Sequence, residues 1–211
     1  MKVVKVNQIS DQMTSCLVIF DGFAGGVSRL GGAKFLPENM PCYLVYDYTD
    51  EKLDLDLRHF DRIHLLAWSL GVWQAAVSLK KYKLASATAL NGTLKPIDDQ
   101  MGIPKAIFQA TLEGWNEVSR KKFNRRIGLP VELAANADCT AEQVELAAIQ
   151  QRILTTPTPE NIYNLVISGE QDKIFALENQ QRFWRSVGHE PVVVDAPHYL
   201  YNVLESAVKF G

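Results

Sequence analysis

The stretch IHLLAWSLGV (residues 63–72) decides the fold. Its first half is a short apolar run typical of a buried strand, and the pattern over residues 70–81 places apolar side chains on one face of a helix. Ser69 falls at the joint between them. In a nucleophile elbow, a serine on such a turn lifts its hydroxyl above the sheet edge, and the residues two before and two after it must be small. Ala67 and Gly71 meet this requirement, so the stretch predicts an elbow, the alternative being an ordinary serine that caps a helix.

Apolar runs bounded by turn-forming residues recur along the rest of the chain. Their apolar character is continuous rather than alternating, which is typical of strands covered on both sides in a parallel sheet. Helical patterns lie between several of these runs, and such alternation predicts the α/β class, with a mostly parallel sheet and helices on both faces. The predicted strands are 16–20, 42–46, 63–67, 84–90, 162–167 and 191–195, and the predicted helices are 70–81, 175–187 and 200–209.

The alternation breaks in the middle of the chain. Helical patterns cover 104–122 and 141–154 there, Gly114 interrupts the first of them, and no convincing strand is present. We therefore expect a single domain over residues 1–211 that carries a helical lid insertion at 92–160, overhanging the elbow.

A nucleophilic serine needs a base, and the base needs an acid that orients it. In open parallel sheets the functional groups lie beyond the carboxyl ends of the strands. Of the four histidines, His198 is the one that follows a predicted strand on the same edge as Ser69. Asp172 follows the strand before it, and Asp195 is the competing acid. The chain order serine, acid, histidine is that of the α/β-hydrolases.

Acyl transfer also needs N–H donors for the oxyanion that develops on the substrate. The elbow supplies the backbone N–H of Leu70, the residue after the serine. The loop after the strand at 16–20 reads DGFAGG (residues 21–26), and its glycines allow the main chain to approach a substrate. The N–H of Phe23 is the second predicted donor.

Composition excludes several other classes of protein. The 211 residues are 47% hydrophobic and 22% charged with a net charge of −2, which is typical of a globular domain without the basic field that nucleic-acid binding needs. The uninterrupted apolar runs are too short for a membrane helix. Three cysteines, an odd number without C-x-x-C spacing, indicate a reducing compartment, and we expect a cytoplasmic protein. No dense His, Cys, Asp or Glu motif predicts a metal site, and no cofactor is expected.

One basic run stands out on this mildly acidic chain. It is either a solvated helix face or a docking surface for an anionic partner, since a local cluster steers such a partner to one place. Nearby aromatic side chains (Phe108, Trp115 and Phe123) either line an apolar acyl pocket or are plain core. The basic residues are Arg120, Lys121, Lys122, Arg125 and Arg126.

The chain resembles the BioG-type pimeloyl-acyl-carrier-protein methyl ester esterases, atypical α/β-hydrolases of biotin synthesis. The segments that carry the resemblance are 17–25, LPEN (36–39), YDY (46–48), LDLDL (53–57), AWSLGVW (67–73), NGT (91–93), FNRR (123–126) and PHY (197–199). Phe23-Ala24-Gly25 departs from the family pattern, in which tryptophan and glycine follow the first glycine of the loop, and Leu70 replaces a methionine. The resemblance implies an α/β-hydrolase-like fold, with Ser69 as nucleophile, His198 as base and Asp172 as orienting acid.

The same resemblance implies that the methyl ester of pimeloyl-acyl carrier protein is hydrolysed to methanol and a free carboxylate. The basic run then matches the acidic surface of an acyl carrier protein. A small-ester or thioester hydrolase with the same three side chains is the alternative among enzymes. A hydrolase-fold protein that binds a ligand without turnover is the alternative outside them.

Overall fold

The computed structural model describes residues 1–31, 33, 35–134 and 138–204. Seven strands in this part of the chain form one sheet: β1 (Lys2–Lys5), β2 (Ser15–Phe20), β3 (Cys42–Tyr46), β4 (Arg62–Trp68), β5 (Ser86–Leu90), β6 (Leu165–Gly169) and β7 (Val192–Val194). Their order in the sheet is β1-β3-β2-β4-β5-β6-β7. The edge strand β1 is antiparallel to β3, and all other neighbours are parallel. This mostly parallel sheet confirms the predicted α/β class.

Five α-helices accompany the sheet in the described residues. The first follows β4 directly, three lie between β5 and β6, and the last connects β6 to β7. They are α1 (Leu70–Leu79), α2 (Lys105–Glu113), α3 (Glu117–Ile127), α4 (Cys139–Thr155) and α5 (Leu177–Ser186). The described residues of the predicted insertion at 92–160 thus hold three helices and no strand of the sheet, and its function as a lid stays a prediction.

The sheet separates two hydrophobic cores. Alternate side chains of a strand point to opposite faces, so Leu65 of β4 packs with α1 and α5 while Leu66 packs into the second core. That second core is closed by the turn at Val27–Leu30 and by the segment at 196–204. Both cores reach β4, so its central residues are fully buried.

Several elements differ from the predicted bounds for identifiable reasons. The edge strand β1 was not predicted, because its two valines lie between exposed lysines and give too short an apolar run. Strand β6 begins at Leu165 instead of 162, since the side chain of Asn161 accepts from the N–H of Tyr163 and turns the backbone away from the ladder. Of the predicted helix at 200–209, residues 200–204 form turns, and the rest lies outside the described residues.

The pattern at 104–122 becomes two helices rather than one. Gly114 ends α2, and its N–H donates to the carbonyl of Ala110. Asn116 then starts α3, because its side chain accepts from the N–H groups of Val118 and Ser119 in a capping box. The break separates the two helices, and a groove lies between them.

Gly71 allows α1 to pack against the end of β2. A Cβ atom at this position would lie 2.4 Å from the carbonyl oxygens of both Phe20 and Asp21. We expect Gly71→Ala to lower the free energy of unfolding by about 1–3 kcal/mol or more, the usual cost of overpacking, as measured by urea denaturation. Gly114→Ala is the control, because its Cβ would meet its nearest neighbour, a helix carbonyl, only at 3.0 Å. Equal stability of the two variants would contradict this account of the packing.

Candidate active site

Ser69 lies on a sharp turn between β4 and α1. Its φ is positive (59°, with ψ −127°), a conformation that non-glycine residues rarely adopt. The N–H of Ser69 donates to the carbonyl of Leu90 on β5 at 2.9 Å, which fixes the turn to the neighbouring strand. Gly92 passes so close that a Cβ atom there would lie 2.5 Å from the Ser69 carbonyl oxygen. The local geometry is therefore that of the elbow that the sequence predicted.

His198 connects Ser69 to Asp172. The imidazole Nε2 lies 2.9 Å from Ser69 Oγ, and Nδ1 lies 2.8 Å from Asp172 Oδ2. His198 is 1% exposed, and its ring stacks on Phe175 with an interplanar angle of 9°. An ionised carboxylate only accepts hydrogen bonds, so the Nδ1 proton donates to Asp172 and Nε2 is left to accept from the serine hydroxyl.

Asp172 is held by donors on both of its oxygens. Oδ1 accepts from the N–H groups of Ile174 (2.7 Å) and Phe175 (3.0 Å), and Oδ2 accepts from Gln180 Nε2 (3.1 Å) in addition to the imidazole. The competing acid, Asp195, is exposed and accepts from Gln171 instead. Of the two candidates, the geometry favours Asp172.

The backbone of His198 is fixed by side chains that sequence reasoning did not single out as part of the site. Its carbonyl accepts from Trp68 Nε1 and from Asn91 Nδ2, both at 2.8 Å. Trp68 immediately precedes the serine, and Asn91 follows β5 at the same edge of the sheet. The rule that functional groups follow the carboxyl ends of strands would have found Asn91. Gln180, in the middle of α5, carried no such signal.

The loop at residues 22–26, called the glycine-rich loop below, runs beside Ser69. A Cβ atom on Gly22 would lie 3.1 Å from Ser69 Cβ. Among the described residues, neither the N–H of Phe23 nor that of Leu70 donates to a protein group. The N–H of Leu70 also lies at the N-terminus of α1, where the helix dipole favours negative charge. Both predicted oxyanion donors are therefore free to bind an anion.

A buried carboxylate supports the glycine-rich loop from below. Asp21 accepts from the N–H groups of Gly22 and Gly26 at 2.9 Å and from the Tyr201 hydroxyl at 3.1 Å. Burial raises the pKa of Asp21, while the nearby Arg29 guanidinium and these donors act in the opposite direction. Both ends of the loop are thereby tied to one side chain.

A cavity of about 50 Å³ lies over Ser69. Phe23, Phe108 and Phe123 line it, together with Arg126 and Lys173. A larger groove of about 450 Å³ lies between α2 and α3, and Trp115 lines this outer space rather than the inner cavity. The residues that border both spaces are Ile107, Thr111, Phe123 and Arg126.

The structure corrects one member of the basic run. The Nε of Arg120 donates to both carboxylate oxygens of Glu142 at 2.8 and 2.9 Å, and its side chain is only 13% exposed. Arg120 therefore joins α3 to α4 and is not part of a docking surface. The other four cations, Lys121, Lys122, Arg125 and Arg126, are exposed.

The described residues contain no group of three or more His, Cys, Asp or Glu side chains placed to hold a metal ion. None of their helices combines the length and the apolar character that crossing a membrane requires.

A serine on an elbow after a central parallel strand, with an acid and a histidine after the last two strands, defines the α/β-hydrolase fold. A lipase-esterase related protein from Clostridium acetobutylicum shares this fold, with a TM-score of 0.63 at 14% identity over 97% of this chain and 94% of that one. The family model for "Pimeloyl-ACP methyl esterase BioG" matches residues 4–206. The chain belongs to the BioG family of α/β-hydrolases, as its sequence resemblance predicts.

Two relatives show how far this similarity extends. The crystal structure of BioG from Haemophilus influenzae superimposes with a TM-score of 0.86 at 32% identity, over 96% of this chain and 95% of that one. A malonyl-[acyl-carrier protein] O-methyltransferase from Bacteroides fragilis is 35% identical over 196 residues, which are 87% of this chain. The chain spans only 40% of the length of that protein. Family and fold together mark an enzyme of the hydrolase or esterase type.

Proposed function

We propose that this chain is a serine carboxylesterase that hydrolyses the methyl ester of pimeloyl-acyl carrier protein in biotin synthesis. The observation that carries the proposal is the continuous line of hydrogen bonds from Ser69 Oγ through His198 to Asp172. These three side chains act as nucleophile, general base and orienting acid. The family match supports this substrate class.

Acylation begins at the serine hydroxyl. Ser69 Oγ attacks the ester carbonyl carbon while His198 Nε2 takes the hydroxyl proton. The carbonyl oxygen becomes an oxyanion, which accepts from the N–H groups of Phe23 and Leu70. The C–O bond to the methoxy group then breaks, the imidazolium returns its proton to that oxygen, and methanol leaves.

Deacylation reverses these roles with water as the nucleophile. His198 removes a proton from water as the water oxygen attacks the acyl-serine ester. The bond to Ser69 Oγ breaks, the serine recovers the proton, and the free carboxylate of the product departs. Asp172 stays ionised throughout and stabilises the imidazolium that forms in each step.

The carrier protein binds at the exposed end of α3. Lys121, Lys122, Arg125 and Arg126 present four positive charges there, complementary to the acidic surface of an acyl carrier protein. The acyl chain runs from the outer groove to Ser69 past apolar side chains such as Phe123. The similarity to a malonyl-[acyl-carrier protein] O-methyltransferase from B. fragilis supports this substrate class, since O-methylation of a carrier-bound carboxylate forms a methyl ester.

A small-molecule ester is the second candidate substrate. The cavity directly over Ser69 has a volume of only about 50 Å³, which favours a short acyl group unless the outer groove also takes part. A thioester would need the same catalytic groups. Carrier-bound and small esters must therefore be compared directly.

Ser69→Ala tests the nucleophile. We expect the variant to fold normally and to lose at least about 10⁴-fold in kcat on a soluble ester, because removal of a triad nucleophile disables the whole unit. Methanol release from a methyl ester is the measurement. Ser78→Ala, in the helix that follows Ser69, is the matched control and should keep full activity. Turnover retained by Ser69→Ala would exclude Ser69 from the mechanism, and an inactive wild-type chain that binds the ester would indicate a binding protein.

Asp172→Asn and Asp195→Asn separate the two candidate acids. Replacing Asp172 should lower kcat by about 10⁴-fold, because the asparagine cannot hold the imidazole in its active tautomer. Replacing Asp195 should change kcat by less than about threefold, since that side chain accepts from Gln171 and does not contact His198. The opposite ranking of the two kcat values would overturn the assignment.

Charge reversal tests the docking surface. The double variant Lys121→Glu, Arg125→Glu should lower kcat/KM for carrier-bound substrate by about 10-fold or more at low salt, and the loss should shrink as salt screens the charges. Neither side chain lines the cavity, so hydrolysis of a small ester should be unaffected. Lys80→Glu with Lys81→Glu makes the same charge change at the far end of α1 and is the control. An equal loss on both substrates would count against a carrier-docking surface.

A further inference from the structure

Glu145 is a buried carboxylate of α4 that contacts the glycine-rich loop. Its Oε2 accepts from the N–H of Ala24 at 3.2 Å, and its Oε1 accepts from the N–H of Tyr48 at 3.1 Å. The side chain is 4% exposed and forms no ion pair with any described residue. The mechanism above does not use this group.

The peptide group between Phe23 and Ala24 is held at both ends. Its carbonyl oxygen accepts from Arg29 Nη1 at 2.8 Å, and its N–H donates to Glu145. One residue earlier, the N–H of Gly22 donates to Asp21. The free N–H of Phe23 therefore lies between two fixed peptide groups.

Ala24 has a strained backbone conformation that this support stabilises. Its φ is 54°, in the left-handed region that costs a non-glycine residue of order 1 kcal/mol or more. Such a conformation persists only where the surroundings hold it. Glu145 contacts the strained residue directly, and its hydrogen bond joins α4 to a loop 121 residues earlier in the chain.

We propose that Glu145 is a positioning residue for the oxyanion site, whose negatively charged carboxylate holds the Phe23–Ala24 peptide so that the N–H of Phe23 is aligned for the transition state. This inference rests on the proposed esterase function and on the role of Phe23 in it. A carboxylate can accept from both N–H groups at once. A protonated acid, or a glutamine, presents a donor toward one of them and loosens the loop.

The surroundings of Glu145 make this charge sensitive to pH. Burial raises its pKa from the usual 4.5 to about 7, Asp47 adds to the increase, and the Tyr48 and Ala24 N–H groups and Arg29 oppose it. The charged and titratable groups that face Glu145 are Asp47 and Tyr48 after β3, Arg29 beside the glycine-rich loop, Arg152 on α4 and Lys2 on β1. The loop is therefore held more firmly above pH 7 than below it.

Stability follows the opposite trend. Because the folded-state pKa lies above the unfolded value, the contribution of Glu145 to stability is present below about pH 4.5 and is lost as pH rises through 7. A neutral residue here would be at least as stable at pH 8. The charge thus favours alignment of the loop at the expense of stability.

Glu145→Gln is the test, with Glu142→Gln as the matched control. Glu142 is also a buried acid on α4, but it binds Arg120 and Trp115 rather than the loop backbone. On a small soluble ester at pH 8, Glu145→Gln should lower kcat about 10-fold with KM within twofold, since complete loss of one oxyanion donor costs about 10²–10³. Glu142→Gln should keep kcat within threefold of the wild type.

The pH profile separates positioning from a merely structural role. The ratio of wild-type to Glu145→Gln kcat should fall toward 1 between pH 8 and pH 5.5, because protonation makes the wild type resemble the variant. The melting temperature of the variant at pH 8 should equal or exceed that of the wild type. A kcat equal to the wild type at pH 8, or a deficit that does not change with pH, would overturn the proposal.

Two further variants keep this test distinct from that of the esterase. If Glu145→Gln does not fold, Glu145→Asp retains the charge with a shorter reach, and a lowered kcat that still rises through pH 7 would support the proposal. An unchanged kcat in Glu145→Asp together with a flat ratio would contradict it. Activity at the wild-type level in the Ser69→Ala variant would instead refute the proposed function itself.

Discussion

The strained turn at Ser69 is the constraint on which the rest of the structure depends. A serine with a positive φ costs of order 1–3 kcal/mol and persists only where its neighbours hold it. Here the Ser69 N–H donates to the carbonyl of Leu90. Because Gly71 and Gly92 have no Cβ atom, two neighbouring segments can approach the turn more closely than a side chain would allow. The loops after β2, β5, β6 and β7 meet at this edge because these parallel strands all end there, and the turn at Ser69 lies among them.

Much of this arrangement could be predicted from the sequence because it follows from burial and chain order. Strands β2, β3 and β4 are apolar on both faces, and their fully buried residues match the continuous apolar runs. The edge strand β1 and the start of β6 could not be predicted, because one depends on pairing with a distant strand and the other on a side-chain hydrogen bond. The pattern of apolar residues carries no information on either.

The residues of the site also fall into those that the sequence could place and those that it could not. Ser69, Asp172 and His198 could be placed by one topological rule, since each follows a strand at the same edge. Gln180 and Glu145 lie within helices, and only the tertiary structure brings them to the site. The basic run shows the same limit, because a count of charges treats all five residues alike. The helical repeat turns Arg120 toward Glu142 on α4 and leaves the other four exposed.

Side chains of the insertion contact the glycine-rich loop beside Ser69. Glu145 of α4 binds the backbone of the glycine-rich loop, and Trp115, between α2 and α3, packs edge-on against Phe23 with ring centroids 4.7 Å apart. A displacement of α4 must therefore break a hydrogen bond to a strained residue next to the predicted oxyanion donor. Phe123 of α3 borders both the groove and the cavity, and it packs edge-on against Phe23 with ring centroids 6.0 Å apart. The side chains that would contact the proposed acyl chain therefore also pack against Phe23, whose N–H is the predicted oxyanion donor.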